Sequence, residues 1–146
     1  MSRCGFKTTP ATILALLLAI TSAAASAEDV RELVQFPGMM QAHMLANMRD
    51  HLAAIDEILR YLASGQPDKA AEVAEYRIGM SSLESHGAGH MAGFMPEGMR
   101  NAGSAMHHAA SRLALKLQEG DTQAAYSALS EVTAACVACH AAYRIR

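Results

Sequence analysis

Residues 121–144 read DTQAAYSALSEVTAACVACHAAYR, a helix-forming stretch that contains C-x-x-C-H at residues 136–140. On a helix, Cys136 and Cys139 lie about one turn apart on one face, and His140 follows Cys136 by four residues on the same face. Two thiols in this arrangement can form thioether bonds to the vinyl groups of a porphyrin. His140 can then bind the iron as the proximal ligand. The pentapeptide therefore predicts one covalently attached haem c.

Two other interpretations of the cysteine pair are weaker. A redox dithiol of the C-x-x-C type is expected in a βαβ context, and no strand pattern precedes Cys136. A structural zinc site needs four nitrogen or sulfur ligands at suitable spacing, and the chain has no second cysteine pair.

Three more apolar patterns of helical period precede this stretch. The first begins after Pro37-Gly38, ends at Ser64-Gly65-Gln66-Pro67, and forms a heptad-like seam of Leu45, Met48, Leu52, Ile55, Leu59 and Leu62. The second covers about Asp68 to Glu84, with Val73, Tyr76, Met80 and Leu83 on one face. The third covers about Pro96 to Glu119, with a stripe of Met99, Gly103, Met106, Ala110, Leu113 and Leu117.

The last helix is predicted from Asp121 to about Arg144, with Gly120-Asp121 ending one helix and capping the next. Its stripe of Leu129, Val132, Cys136, Cys139 and Tyr143 directs the cysteine pair toward the core. Two of the three connections are short, which favours an up-down-up-down arrangement. We therefore expect an all-α fold, an antiparallel four-helix bundle with covalently attached haem c.

The N-terminus has the pattern of a secretory signal peptide. Arg3 and Lys7 precede an apolar run, residues 11–20, that is too short to span a bilayer, and an A-x-A site ends at Ala27. We expect cleavage after Ala27, which removes residues 1–27 and Cys4 and leaves one domain, residues 28–146. The expected location is the periplasm, with no transmembrane anchor after cleavage.

Charge and motifs exclude several functions. The formal charge is −2 for the whole chain and −4 without Arg3 and Lys7, so nucleic acid is not expected as a partner. No nucleophile–base pair or paired general acid is visible, so we expect an electron-transfer haem protein and no enzyme. Its partners are then redox proteins.

The residues Gly120-Asp121, Val132, Cys136 to His140, Tyr143 and Arg144 together resemble the cytochrome c prime family, the class II c-type cytochromes. The resemblance is gap-free over the last helix and is one of pattern and length over the first three. It implies a periplasmic four-helix bundle, often a homodimer through the first two helices. It also implies that Arg144 lies in the haem environment beside His140, although a helix C-terminal cation favoured by the dipole is an alternative.

The sixth position of the iron divides this family. In typical members an apolar first-helix residue covers the distal face, and the haem binds nitric oxide or carbon monoxide. In a low-spin branch a first-helix methionine is the ligand. Met48 lies on the predicted seam and is our candidate axial ligand, since a thioether opposite histidine suits electron transfer. Met44, His51, His43 or an open site are the alternatives.

Methionine and histidine are also dense between residues 86 and 99. Thioether and imidazole ligands suit copper, so a copper site that includes His86, His90 and Met91 is a further alternative. His107 and His108 are expected on a solvated helix face, and the alternative is that one of the two rings lies at the haem edge.

Overall fold

The structure is a computed structural model, and it describes residues 28–146. The predicted signal peptide, its cleavage site and Cys4 lie outside the described residues. The chain divides into two compact units, Met1–Val30 and Arg31–Arg146. The second unit contains every element discussed below. None of the helices in the described part is long and apolar enough to cross a membrane.

The second unit is mostly helical, which confirms the predicted all-α class. Its helices are α1 Gly38–Ala63, α2 Pro67–Val73, α3 Ala88–Met91, α4 Glu97–Gln118 and α5 Thr122–Ala142. A π-helical turn covers Ala74–Ile78, and two 3₁₀ turns cover Met80–Ser82 and Ala92–Phe94. Two short strands, β1 Glu32–Leu33 and β2 Tyr143–Arg144, pair in parallel.

The ends of the long helices follow the local signals in the sequence. Helix α1 begins after Pro37 and is followed by Gly65, whose φ of 69° is the left-handed conformation that glycine adopts at low cost. Gly120 has a φ of 73° after α4, and the Asp121 carboxylate accepts a hydrogen bond from the Ala124 backbone N–H at 2.9 Å. The predicted turn and N-cap at Gly120-Asp121 are therefore confirmed.

The prediction of a second helix over about Asp68 to Glu84 is wrong beyond Ile78. The α-helical part ends at Val73, one wider turn follows, and Gly79 is extended with a ψ of −175°. A Cβ at position 79 would lie 2.7 Å from the Glu75 carbonyl oxygen, so only glycine fits this break. The Met80 backbone N–H then donates to the Ser111 hydroxyl on α4 at 2.9 Å, which replaces the helical hydrogen bond.

One apolar core holds four helical segments together. Its largest fully buried apolar side chains come one from each: Ile58 from α1, Ile78 from the π turn, Leu113 from α4 and Val132 from α5. Each such side chain stabilises the fold by about 1.5–3 kcal/mol through burial. The predicted α4 stripe is confirmed in this core and beside it, since Met99, Met106, Ala110, Leu113 and Leu117 are buried.

The predicted seam of α1 is wrong by one position along the helix. The buried residues are Met44, Asn47, His51, Ala54 and Ile58. Leu52 and Leu59 of the seam are 73% and 46% exposed. Met48, Leu52 and Ile55 line a cavity, described below, together with the buried Met44, Asn47 and His51. Ala54 and Ile58 pack in the apolar core.

An ion-pair network fixes the π turn to α1. Arg77 contacts Asp50 and Glu57 at 2.5 Å each. The Arg77 guanidinium lowers the pKa of Asp50 by hydrogen bonding and by its charge.

The two strands tie the chain ends together next to the C-x-x-C-H pentapeptide. Glu32 pairs with Tyr143 and Leu33 with Arg144, and the Val34 N–H donates to the Arg144 carbonyl at 2.8 Å. A second apolar cluster of Val34, Met44, Met91 and Met99 packs there against Cys139 and Tyr143.

Candidate functional site

A cavity of about 460 Å³ is the candidate site. Its walls come from α1, α3, α4 and α5 and from the segments around α3. This volume lies in the roughly 300–1,000 Å³ range of ligand and cofactor sites. Cys136, Cys139 and His140 all line it, so the structure brings the predicted attachment and proximal residues to one place.

Helix α5 positions these three residues. Cys136 and Cys139 are free thiols and are half-buried. Burial raises the pKa of both thiols, which keeps them protonated near neutral pH. His140 is exposed and lines the cavity, and its backbone carbonyl accepts a hydrogen bond from the Arg31 guanidinium at 3.4 Å. The residues before β1 thus contact the end of α5 that carries the pentapeptide.

Thioether groups form much of the cavity wall. Of the ten methionines in the chain, six line the cavity, namely Met44, Met48, Met91, Met95, Met99 and Met106. Met44 is 4% exposed, and Met48 is half-buried. Sequence reasoning selected Met48 and Met44 from α1 but missed the other four as wall residues. Their density near residue 95 was visible, whereas the fold that brings them to α1 was not.

The polar part of the wall is a histidine cluster of His51, His86 and His107. The three imidazole rings are 7–8% exposed, with centroids 4.7 Å, 5.8 Å and 5.7 Å apart. Desolvation lowers the pKa of each, that of His51 to about 4. The prediction of a solvated face is wrong for His107, which is buried with Nδ1 donating to the Ile78 carbonyl at 2.5 Å. His107 instead lines the cavity, and the alternative that one ring lies at the haem edge stays a prediction. His108 beside it is exposed as expected.

The histidine cluster is held in place through the backbone of His86. The His86 carbonyl accepts hydrogen bonds from the His43 ring and from the Asn47 amide, each at 2.9 Å. Both donors lie on α1, so the segment before α3 is fastened to α1 at this point. His43 is thereby occupied by a backbone contact and does not line the cavity.

The three residues proposed as copper ligands, His86, His90 and Met91, do not share one environment. His86 and Met91 are buried, whereas His90 is exposed. Within residues 28–146 there is no group of three or more histidine, cysteine, aspartate or glutamate side chains placed to hold a metal ion.

Arg144 lies outside the cavity wall. It is half-buried in β2, where its backbone pairs with β1. A role of its side chain in the haem environment stays a prediction.

The residues present fit a haem c. Two free thiols and an imidazole with the required spacing open onto one mainly apolar cavity of cofactor size, and thioether groups lie within the same wall. The His51 ring also indicates that the cavity holds a ligand, since its Nδ1 atom is buried without a hydrogen-bond partner from the protein. Buried polar atoms in proteins are nearly always paired.

Comparison with known proteins supports the same assignment for the C-terminal third of the chain. The family model described as Cytochrome C' matches residues 95–144, which contain α4, α5 and the pentapeptide. No curated protein and no solved structure matches the chain. The matched segment carries both cysteines and the predicted proximal histidine, so the resemblance to the cytochrome c′ family predicted from α5 is confirmed over residues 95–144.

Proposed function

We propose that this protein is a periplasmic c-type cytochrome that carries single electrons. The observation that supports the proposal most strongly is the wall of the cavity, where Cys136, Cys139 and His140 share one apolar space with six methionines. Haem c bound there supplies an iron that changes between the ferric and ferrous states by one electron.

Each group of wall residues has its own role in this proposal. Cys136 and Cys139 hold the cofactor covalently, and His140 is the proximal ligand. Met48 is the candidate axial ligand on α1, and a thioether opposite an imidazole raises the reduction potential. The apolar wall limits access of water and so favours electron transfer over ligand exchange.

Binding of nitric oxide or carbon monoxide is a second candidate function. It is favoured by the polar wall that Asn47 and His51 form beside the methionines, because buried polar groups at a cavity are suited to a bound polar ligand. A copper-binding module, the third alternative, finds no such support in the arrangement of His86, His90 and Met91.

The absorption spectrum of the protein with attached haem tests the choice. We expect a low-spin spectrum in both oxidation states that does not change with carbon monoxide. Met48→Leu should turn the spectrum high-spin and allow carbon monoxide to bind. Met44→Leu is the matched control, because Met44 lies one turn earlier on α1 and lines the same cavity. It should keep the low-spin spectrum.

The outcomes separate the hypotheses. A high-spin wild-type protein that binds carbon monoxide rapidly would replace electron carriage with gas binding. A low-spin protein whose spectrum depends on Met44 would retain electron carriage and refute Met48 as the ligand. Variants of Cys136 and Cys139 to alanine should lose covalent haem, as judged by denaturing gel and mass.

The proposal also includes the architecture and the location of the protein. We propose an antiparallel four-helix bundle that forms one domain and is exported to the periplasm. The turns at Gly65 and Gly120 and the shared core of four segments support the bundle. Mass spectrometry of protein recovered from the periplasm should give a chain that starts at Glu28 and carries one haem. A mass that includes residues 1–27 would refute cleavage after Ala27.

A further inference from the structure

Proton positions within the histidine cluster follow from its hydrogen bonds. The Ser82 hydroxyl donates its only hydrogen to the Gly79 carbonyl at 2.7 Å. Ser82 Oγ is also 3.3 Å from His86 Nδ1, and it can only accept there. His86 Nδ1 therefore carries a hydrogen.

The N–H at His86 Nδ1 determines which ring nitrogen of His51 carries the hydrogen. His86 Nδ1 lies 3.4 Å from His51 Nε2, so its one hydrogen is shared between Ser82 Oγ and His51 Nε2, and the lone pair of His51 Nε2 faces it. His51 is neutral at pH 7, because burial and the neighbouring imidazoles lower its pKa to about 4. A neutral imidazole has one N–H, and in His51 it must be on Nδ1.

This N–H is a buried donor without an acceptor. His51 is 7% exposed and lines the cavity, and its Nδ1 has no hydrogen-bond partner in the protein. A buried donor left without an acceptor is destabilising, so a partner from the cavity is expected. The assignment also argues against His51 as an iron ligand, since Nδ1 has no free lone pair and that of Nε2 faces His86.

We propose that the Nδ1–H of His51 donates a hydrogen bond to an anionic oxygen that occupies the cavity. Two sources of this oxygen have the same chemistry: a carboxylate of the haem, or a small oxyanion that enters beside it. The proposal rests on the haem protein proposed above. His86 acts as a positioning residue, since its ring fixes the tautomer of His51 and its backbone is held by His43 and Asn47.

The tautomer is tested first, by long-range ¹H–¹⁵N NMR of the reduced full-length protein. We expect a protonated Nδ1 and an unprotonated Nε2 for His51. A protonated Nε2 would overturn the proposal. This measurement reports on the imidazole even if covalent haem were absent from the absorption spectrum, so failure of the haem assignment and failure of this inference are distinguishable.

The source of the oxygen is tested with two variants and a control. His51→Leu removes the donor, and His51→Asn retains an amide N–H near the position of Nδ1. His108→Asn is the control at an exposed position next to the cluster. Nitrite is titrated into each ferric protein, and the midpoint potential of each is measured.

If the oxygen belongs to an oxyanion, nitrite should bind to wild type and to His51→Asn about 10- to 100-fold more tightly than to His51→Leu. If the oxygen belongs to a haem carboxylate, nitrite should not bind to any of the proteins. The midpoint potential of His51→Leu should then be lower than that of wild type, His51→Asn and His108→Asn, because an unpaired carboxylate favours the ferric iron. If His51→Leu matches wild type in both measurements, the proposal is wrong.

Discussion

Acid should destabilise this protein through His51 at pH values where most carboxylates are still ionised. The His51 ring is buried among His86 and His107, with Asp50 as the nearest carboxylate, and its pKa is lowered from 6.5 to about 4. Without an anion at Nδ1, the folded state therefore keeps His51 neutral while the unfolded chain takes up a proton below pH 6.5. An anionic oxygen bound to the His51 N–H, as proposed above, would raise this pKa and reduce the loss. Stability from this residue is fully present above pH 6.5 and is lost as the pH falls toward 4.

The magnitude follows from the two pKa values. Each pH unit below 6.5 costs about 1.4 kcal/mol, so about 2 kcal/mol of the free energy of unfolding is lost between pH 7.5 and pH 5. His86 and His107 add to this loss in the same direction, because desolvation lowers their pKa values too. A loss of this size is a large part of the stability of an ordinary domain.

Denaturant unfolding at pH 7.5, 6 and 5, followed by far-ultraviolet circular dichroism, measures the effect. His51→Asn replaces the imidazole by an amide that does not titrate, so its loss over the same interval should be smaller by about 2 kcal/mol. His108→Asn changes an exposed histidine and should keep the wild-type pH dependence. Equal losses in wild type and His51→Asn would show that the buried ring does not resist protonation.

Three other substitutions test the fold around the site. A Cβ at Gly98 would collide with the Tyr143 hydroxyl, so the Tyr143 ring must shift and Gly98→Ala should lower the free energy of unfolding by about 1 kcal/mol. Gly103→Ala, where nothing lies within 4 Å, should not lower it. Asp121→Ala removes the N-cap of α5 and should cost about 1 kcal/mol in urea unfolding. Arg77→Ala removes two partly exposed ion pairs and should cost on the order of 1 kcal/mol at low salt and less in 1 M NaCl; an equal cost at both salt concentrations would contradict an electrostatic origin.

The helix ends could be predicted because their causes are local. Pro37, Gly65, Gly120 and Asp121 act through their own backbone or through a neighbour three residues away. The break at Gly79 is different. It is compensated by the Ser111 hydroxyl on another helix, and a single-segment pattern does not contain that contact.

The face of α1 was mispredicted for a related reason. An apolar stripe was assumed to pack against protein, but Met48, Leu52 and Ile55 line the cavity. The core side of α1 carries Ala54 and Ile58, and the buried His51 lines the cavity as well. Hydrophobic periodicity identifies an apolar surface without stating whether a helix or a cofactor covers it.

The candidate site was predicted to the extent that it lies on one helix. Cys136, Cys139 and His140 are within five residues, and their common face follows from helical geometry. His51, His86 and His107 come from three segments and meet only in the folded chain. Their separation along the sequence hides the histidine cluster from any analysis of spacing.

The two halves of the cavity therefore have different origins in the chain. The family match over residues 95–144 contains the predicted attachment residues and the predicted proximal histidine, whereas Met48, His51 and His86 lie before it. The properties that distinguish one c-type cytochrome from another are the axial ligand, hydrogen bonding near the cofactor and burial. Under the function proposed above, the first two of these would depend largely on α1 and the segment before α3, so exchange of residues there should change the reactivity of an attached haem without affecting its attachment.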